Sequence, residues 1–397
     1  MLSTNELKLL HKSLFENFAY DYSNSNHLLA IDLATVFGSI YVKDILTTTR
    51  SSMELIIPVF NIDLWNTLSS DVNKLVTWVA SENFNISFVL NDSLFGKFEG
   101  SNKLHLPSNR AVTLFSGGLD SLTGAFQNFR DQIDSDYLGF LNKDEEKTKQ
   151  ITLSKFYKNK FPNTEVTLIP KPGPAKLHRT QATRSLLYLS LAVSNSMFNH
   201  STDVFLYENG ILSLNPNLNS RFTTKTTHPK TMYIFKSIIK KIGFDITIHH
   251  PFLFSTKGEN IEAMNKDFKN QIADSFTCGA SRSQYKPHSG QCGVCIPCLL
   301  RKISMAAYDN EDYDSKYNIS YEKKISEIEN SYYRKEYDSH INYFAQYCAL
   351  IKDKTIYNEL KTRSIFYEDK DYFSKQEIMF EKFTYEFERF MKKYDPY

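Results

Sequence analysis

The chain has 397 residues, with 47 Lys+Arg against 45 Asp+Glu for a formal charge of +2, 41% hydrophobic residues, 14% aromatics and five cysteines. That length suffices for two or three domains with sizeable cores, and the composition excludes a disordered chain. The balanced charge announces no global basic field for nucleic acid, and no run approaches the ~20 apolar residues that span a bilayer.

The opening MLSTNELKLLHKS lacks the apolar core and cleavage site of a secretory signal, so a cytoplasmic location with reduced thiols is expected. Residues 1–105 read as an α+β accessory domain. HLLAIDL (27–33), SIYVKDIL (39–46) and MELIIPVF (53–60) read as strands, and DVNKLVTWVASE (71–82) as a helix from its Leu75, Val76, Val79 stripe. GKFEGSNKLHLPSNR (96–110) reads as a linker.

From 111 onward strands and helices alternate. AVTLF (111–115), YLGFL (137–141), EVTLI (165–169), DVFLY (203–207) and DITI (245–248) are the expected strands. The expected helices cover 121–129, the charged stretch after 141, a segment with Leu186, Leu189, Val193 and Met197 on one face, 231–242, and a run from about 259. The pattern predicts βαβ units and a Rossmann-like parallel sheet over 106–308, with ligands beyond the carboxyl ends of the strands. There the chain places SGGLDS after the first strand, Glu208-Asn209-Gly210 after the fourth and His249-His250-Pro251 after the fifth. Residues 309–397 read as a helical extension closed by a helix with Ile378, Phe383, Phe387 and Phe390 on its core face.

Ser116-Gly117-Gly118-Leu119-Asp120-Ser121 lies between a predicted strand and a predicted helix. Two glycines let backbone N–H groups approach a phosphate, and the helix adds its positive dipole end. Ser116 and Ser121 supply hydroxyls, and Asp120 either caps the helix or organises a magnesium–phosphate complex. The GxxxxGK[ST] of a Walker loop is absent. Cys278-x13-Cys292-x2-Cys295-x2-Cys298 offers four thiolates at a spacing suited to closed, structural zinc over 278–298, with an iron–sulfur cluster as the rival reading. Cys348 stands apart and reads as a small packed hydrophobe.

The SGGLDS loop resembles that of the N-type ATP pyrophosphatases, whose HUP-type (PP-loop) fold cleaves ATP between its α and β phosphates. With the distal cysteines, Ser255-Thr256-Lys257-Gly258-Glu259 and Gln291-Cys292-Gly293-Val294-Cys295-Ile296-Pro297-Cys298-Leu299-Leu300-Arg301, residues 111–310 resemble the 7-cyano-7-deazaguanine synthase (QueC) family. Glu208-Asn209-Gly210-Ile211-Leu212-Ser213-Leu214-Asn215 and Thr226-Thr227-His228-Pro229 are similar to the QueC-like proteins of the anti-phage Qat and type IV CBASS systems. The resemblance implies an ATP-, Mg²⁺- and Zn²⁺-dependent ligase that adenylates the carboxylate of 7-carboxy-7-deazaguanine. It implies transfer of the acyl group to the N-terminal amine of a partner protein, where the housekeeping family makes a free nitrile with ammonia.

On this reading Ser116, Gly117, Gly118, Leu119, Asp120 and Ser121 bind ATP, and Asp120, Lys257 and His228 are the catalytic candidates. Lys257 stabilises charge on the transferring AMP, and His228 either shuttles a proton or caps the next helix. Arg184, Glu208, Asn209, Ser213 and Asn215 are the substrate-binding candidates, Glu208 as acceptor for the base's N–H edge and Arg184 for carboxylate or phosphate. Each has a plainer alternative as a loop, cap or surface residue. His249 and His250 point apart, so at most one faces the site. Two other functions remain open at this stage: an RNA-modifying pyrophosphatase, and a non-catalytic ATP-binding scaffold of a defence complex.

Overall fold

Helix α1 (Thr4–Phe15) begins at a capping box in which Ser3 and Glu6 exchange hydrogen bonds, and α2 (Ser25–Leu46) follows. Next come β1 (Met53–Val59), α3 (Ile62–Ala80) and β2 (Phe84–Leu90), with the two strands parallel and Met53 opposite Phe84. The strands expected at 27–33 and 39–46 both lie inside α2. Residues 30–42 are all buried, so the helix is apolar on every side and carries no periodicity to separate it from a buried strand. Helix α3 starts well before the expected 71 because Asn61 caps it and Asp32 of α2 accepts the Phe60 and Asn61 N–H groups and the Trp65 indole N–H. This computed structural model describes residues 2–47, 52–91, 107–141, 144–172, 181–220, 222–279 and 290–397; the expected linker falls largely outside them.

The second sheet is built from β3 (Ala111–Leu114), α4 (Leu119–Arg130), β4 (Ser135–Leu141), α5 (Asp144–Lys160), β5 (Val166–Pro170), α6 (Arg184–Phe198) and β6 (Asp203–Phe205). It is completed by α7 (Gly210–Ser213), α8 (Pro229–Ile242) and β7 (Thr247–His249). All five expected strands are present and parallel, in the order β5-β4-β3-β6-β7. The chain therefore winds outward from β3 in one direction and then places β6 on its other side. That order reverses between β3 and β6, and the carboxyl ends of such a pair are where an open α/β sheet forms its ligand crevice.

Beyond the sheet, the single helix expected from about 259 is two short ones, α9 (Lys257–Glu262) and α10 (Lys266–Lys269), interrupted where Asn265 caps the second. Then come α11 (Ile296–Ala306), α12 (Ser331–Lys352), α13 (Ile356–Glu359) and α14 (Tyr372–Tyr394). On α14, Phe383, Phe387 and Phe390 are buried as expected but Ile378 is exposed, the inward face running instead through Met379 and Phe380.

Successive β4 side chains separate two cores. Tyr137 belongs to the cluster containing α4, α11, α12 and α14, whereas Leu138 and Phe140 belong to the cluster with α6, α8 and the N-terminal helices. Packing of α2 on α6 and of α3 on α8 makes the core of the first hundred residues continuous with one face of the sheet. The C-terminal helices cover the opposite side through α11 and α9. Among the described residues no helix is long and apolar enough to cross a membrane.

Candidate active site and metal centre

The turn from β3 into α4 is held by its own polar groups. The Ser116 N–H donates to Ser121 Oγ (3.0 Å), the two hydroxyls meet at 2.8 Å, and the Gly118 N–H donates to Ser116 Oγ (3.2 Å). Gly117 sits at φ +79°, and a Cβ there would come within 3.0 Å of the Gln150 side chain, so both backbone and space call for glycine. The Phe276 N–H donates to Gly117 O (3.0 Å), and the Tyr157 hydroxyl donates to Ser121 O (3.1 Å). Gly118 caps α4 without a side chain, leaving the first turn of the helix open to an anion in the crevice. Leu119 is buried, so it can contribute only its backbone to a ligand.

Asp120 projects from that turn and meets residues from three other elements. The Lys257 ammonium, at the start of α9, lies 2.6 Å from Asp120 Oδ2; its side chain is 1% exposed and that of Asp120 15%. Asn209 spans the gap to β6. Its Oδ1 accepts the Leu212 N–H as the cap of α7, while its amide nitrogen lies 3.4 Å from both Asp120 oxygens and from Glu208 Oε1. Burial pushes the Glu208 carboxyl well above the usual carboxylate range, and the neighbouring Asp120 charge pushes it further. Lys257 and Arg184 pull it the other way, which places Arg184, the first residue of α6, within electrostatic reach of the same cluster. The crevice thus holds two carboxyls sharing one buried ammonium, an arrangement able to hold a proton on Glu208 and to balance an incoming anion.

Asp120, Lys257, Glu208 and Asn209 therefore meet, with Arg184 acting on Glu208 electrostatically; three other sequence candidates do not join them. The Asn215 amide is spent on backbone, donating to Leu212 O (2.6 Å) and Thr224 O (2.9 Å) and accepting from the Thr223 N–H. Ser213 is buried against Thr227 (2.8 Å) and His250 (3.4 Å), and His250 Nε2 also lies 2.9 Å from Glu208 O, so the pair braces the Glu208 loop from behind. His249 turns away to stack on Phe205 and bond Asp203, as expected of adjacent residues. His228 is the N-cap of α8: Nδ1 accepts the Lys230 N–H, and Nε2 lies 2.8 Å from Leu360 O. Burial drives its pKa down to about 4, so near neutrality the ring is uncharged with both nitrogens committed to backbone, which is the capping alternative and not a proton shuttle.

One contributor was absent from the sequence candidates. Glu386 of α14 is fully buried, and one of its oxygens accepts from the Thr256 hydroxyl, directly before Lys257. Gly258 has no side chain to keep that carboxyl away: a Cβ there would stand 2.4 Å from Glu386 Oε1. Its signal was present in the sequence, since Glu386 falls three residues after Phe383 and four before Phe390, on the apolar face of its helix.

The four clustered cysteines converge as their spacing predicts. Cys278 and Cys295 sulfurs are 4.0 Å apart, those of Cys292 and Cys298 3.9 Å, and all four ligand atoms lie within 4.8 Å of one another. Tetrahedral ligation at about 2.3 Å per Zn–S bond requires about 3.8 Å between sulfurs, so the set fits a metal such as zinc with little movement. Backbone N–H groups of Gly279, Cys292 and Cys295 point at the sulfurs at 3.3–3.4 Å, and Gly293, at φ +82°, allows the turn between ligands. The three neighbouring thiols hold Cys278 well below the usual thiol range, while burial raises Cys298. Arg301, on the helix that carries Cys298, is fully buried and paired with Asp314 at 2.6 Å. Cys348 is buried, as a packing residue should be. No family model and no curated protein matches the chain.

Proposed function

We propose that the chain is an ATP-dependent carboxylate–amine ligase acting on 7-carboxy-7-deazaguanine, with the N-terminal amine of an anti-phage partner protein as acceptor. The observation that carries the reading is the meeting of Asp120, Lys257, Glu208 and Asn209 at the SGGLDS turn, where the strand order reverses, with Arg184 acting electrostatically on Glu208. In the first step a carboxylate oxygen attacks the α-phosphorus of ATP, the bond to the β-phosphate oxygen breaks, and pyrophosphate leaves. In the second the amine nitrogen attacks the acyl carbon, AMP leaves with the C–O electron pair, and the amine gives up a proton.

The N–H groups and hydroxyls of residues 116–121 would hold the phosphates, and Lys257 and Arg184 would balance the charge that builds on them. Mg²⁺, when bound beside Asp120, would neutralise the leaving pyrophosphate. Glu208, once ionised, can accept from the N–H edge of the base, and its raised proton affinity then suits it to take the amine proton. Zinc on Cys278, Cys292, Cys295 and Cys298 would be structural, since no ligand position stays open for substrate.

The test is mass spectrometry of the full chain with ATP–Mg²⁺, 7-carboxy-7-deazaguanine and, in parallel, ammonia or proteins from neighbouring genes. AMP release together with a mass increase on a partner's N-terminus is expected. A nitrile formed with ammonia would assign the housekeeping chemistry instead. Absence of AMP in every arm, with Asp120→Asn changing nothing, would remove the ligase reading.

A further inference from the structure

Within the Thr226–Pro229 motif, Thr227 supports Ser213 behind the Glu208 loop, and the histidine does something else. Because His228 Nδ1 accepts the Lys230 N–H, Nε2 carries the ring proton and donates to Leu360 O at 2.8 Å. That bond ties the first turn of α8 to the segment 357–366. Between them lies a cavity of about 490 Å³.

Three cations line the cavity, Lys230, Lys361 and Arg363, and no carboxylate does. Lys361 donates to Asn358 O (3.0 Å) and has a long ion pair with Glu359 at 3.8 Å, and the Arg363 guanidinium has no ion pair among the described residues. Lys230 is pre-positioned: its ammonium rests 4.1 Å from the centroid of the Trp78 ring, with Lys225 over the same ring at 4.4 Å. Burial and then Arg363 lower the pKa of Lys230, and burial and then Lys230 lower that of Lys225. This mutual repulsion is a cost that the fold carries until an anion enters. Two aromatic rings complete the walls, Tyr357 stacked on Phe373 and Phe366 against Tyr233.

We propose that this cavity is a second ligand site, taking a phosphomonoester borne on a flat ring system, the chemistry of a nucleoside monophosphate. Arginine and lysine supply the donors that a phosphate dianion needs, the two rings supply apolar faces, and the volume falls in the range of small-molecule pockets. None of its residues touches the Asp120 cluster, so it stands apart from the ligase reading.

Trp78 makes the site directly readable, because the chain's other tryptophan, Trp65, is fully buried against Phe88 and bonded to Asp32. The full-length protein is titrated with AMP, inorganic phosphate and adenosine at constant ionic strength while tryptophan emission and heat are recorded. AMP should give a saturable change in emission, phosphate a weaker one and adenosine none. Lys230→Gln and Arg363→Gln should each weaken AMP at least tenfold, Trp78→Phe should remove the optical signal while leaving the heat, and Asp120→Asn should leave the signal intact. A response to AMP no stronger than that to inorganic phosphate, or AMP binding that ignores both cation substitutions, would overturn the proposal. Tighter binding of a single-stranded oligonucleotide than of AMP, lost on the same substitutions, would overturn it in favour of a nucleic-acid groove.

Discussion

Replacing Glu386 by glutamine should change how stability depends on pH, in a direction fixed by the structure. Burial on α14 pushes this carboxyl up from its usual 4.5 to about 8; the Glu259 charge adds to the rise, while the Thr256 hydroxyl, the Gly258 N–H and Lys382 oppose it. Below pH 4.5 both folded and unfolded chains hold the proton. Between 4.5 and 8 the folded chain keeps it and the unfolded chain releases it, so stability falls as pH rises; above 8 the full penalty is present. At 1.36 kcal/mol per unit the shift bounds the loss at about 5 kcal/mol. Glutamine copies the neutral acid in shape and has no proton to lose. The variant should therefore match the wild type near pH 5 and exceed it by several kcal/mol at pH 9. Urea unfolding at pH 5, 7 and 9 measures this. Other titrating groups, including Asp32, raised to about 7, and His11, His228 and His250, lowered to about 4, are common to both proteins and cancel in the difference. A wild-type–variant difference that is constant across pH would refute the reasoning.

Three further outcomes follow from the geometry. Purified protein should carry about one zinc per chain by elemental analysis, and Cys292→Ser should lose both the metal and the cooperative thermal transition, since the ligands lie in the core beneath α11. Asp314→Asn should cost about 3–5 kcal/mol in chemical denaturation, because it strands the Arg301 guanidinium, 0% exposed, without its countercharge. Gly117→Ala should cost about 1–2 kcal/mol from its positive φ alone and should depress AMP release more than it alters the far-ultraviolet circular dichroism.

The parallel sheet was legible because each of its strands lies in a short apolar run with a glycine, asparagine, histidine or proline within the next two residues, and strands followed by helices have few arrangements open to them. Helix α2 was not legible. Its residues 30–42 are buried on every side, and an apolar run without alternation does not say which backbone carries it. The same division runs through the site. Asp120, Glu208, Asn209, Arg184 and Lys257 each follow a strand or open a helix on the carboxyl side of the sheet, so topology alone brings them together. Ser213, Asn215 and His228 come from equally polar stretches but are consumed by backbone and neighbouring side chains. Sequence cannot separate a side chain spent on a loop from one free for a ligand, because the difference lies in where the loop folds back.

Besides what they give the second cavity, the N-terminal and C-terminal layers each send one buried acidic side chain to the residue that precedes a cation of the crevice. Asp44, on α2, accepts the Thr183 N–H (3.0 Å) and hydroxyl (2.7 Å), immediately before Arg184. Glu386, on α14, accepts the Thr256 hydroxyl, immediately before Lys257. In both cases the acidic side chain fixes the start of a helix whose next residue is the positive charge acting on Glu208. A long basic side chain loses about 2 kcal/mol of rotamer freedom when it is held in one place, and anchoring the backbone at its root is one way to limit that loss. The N-terminal and C-terminal layers thus act on opposite rims of one crevice. Asp44→Ala and Glu386→Ala, which remove the acceptors for Thr183 and Thr256, should accordingly shift the apparent affinity for anions at the Asp120 site without removing any group that contacts them.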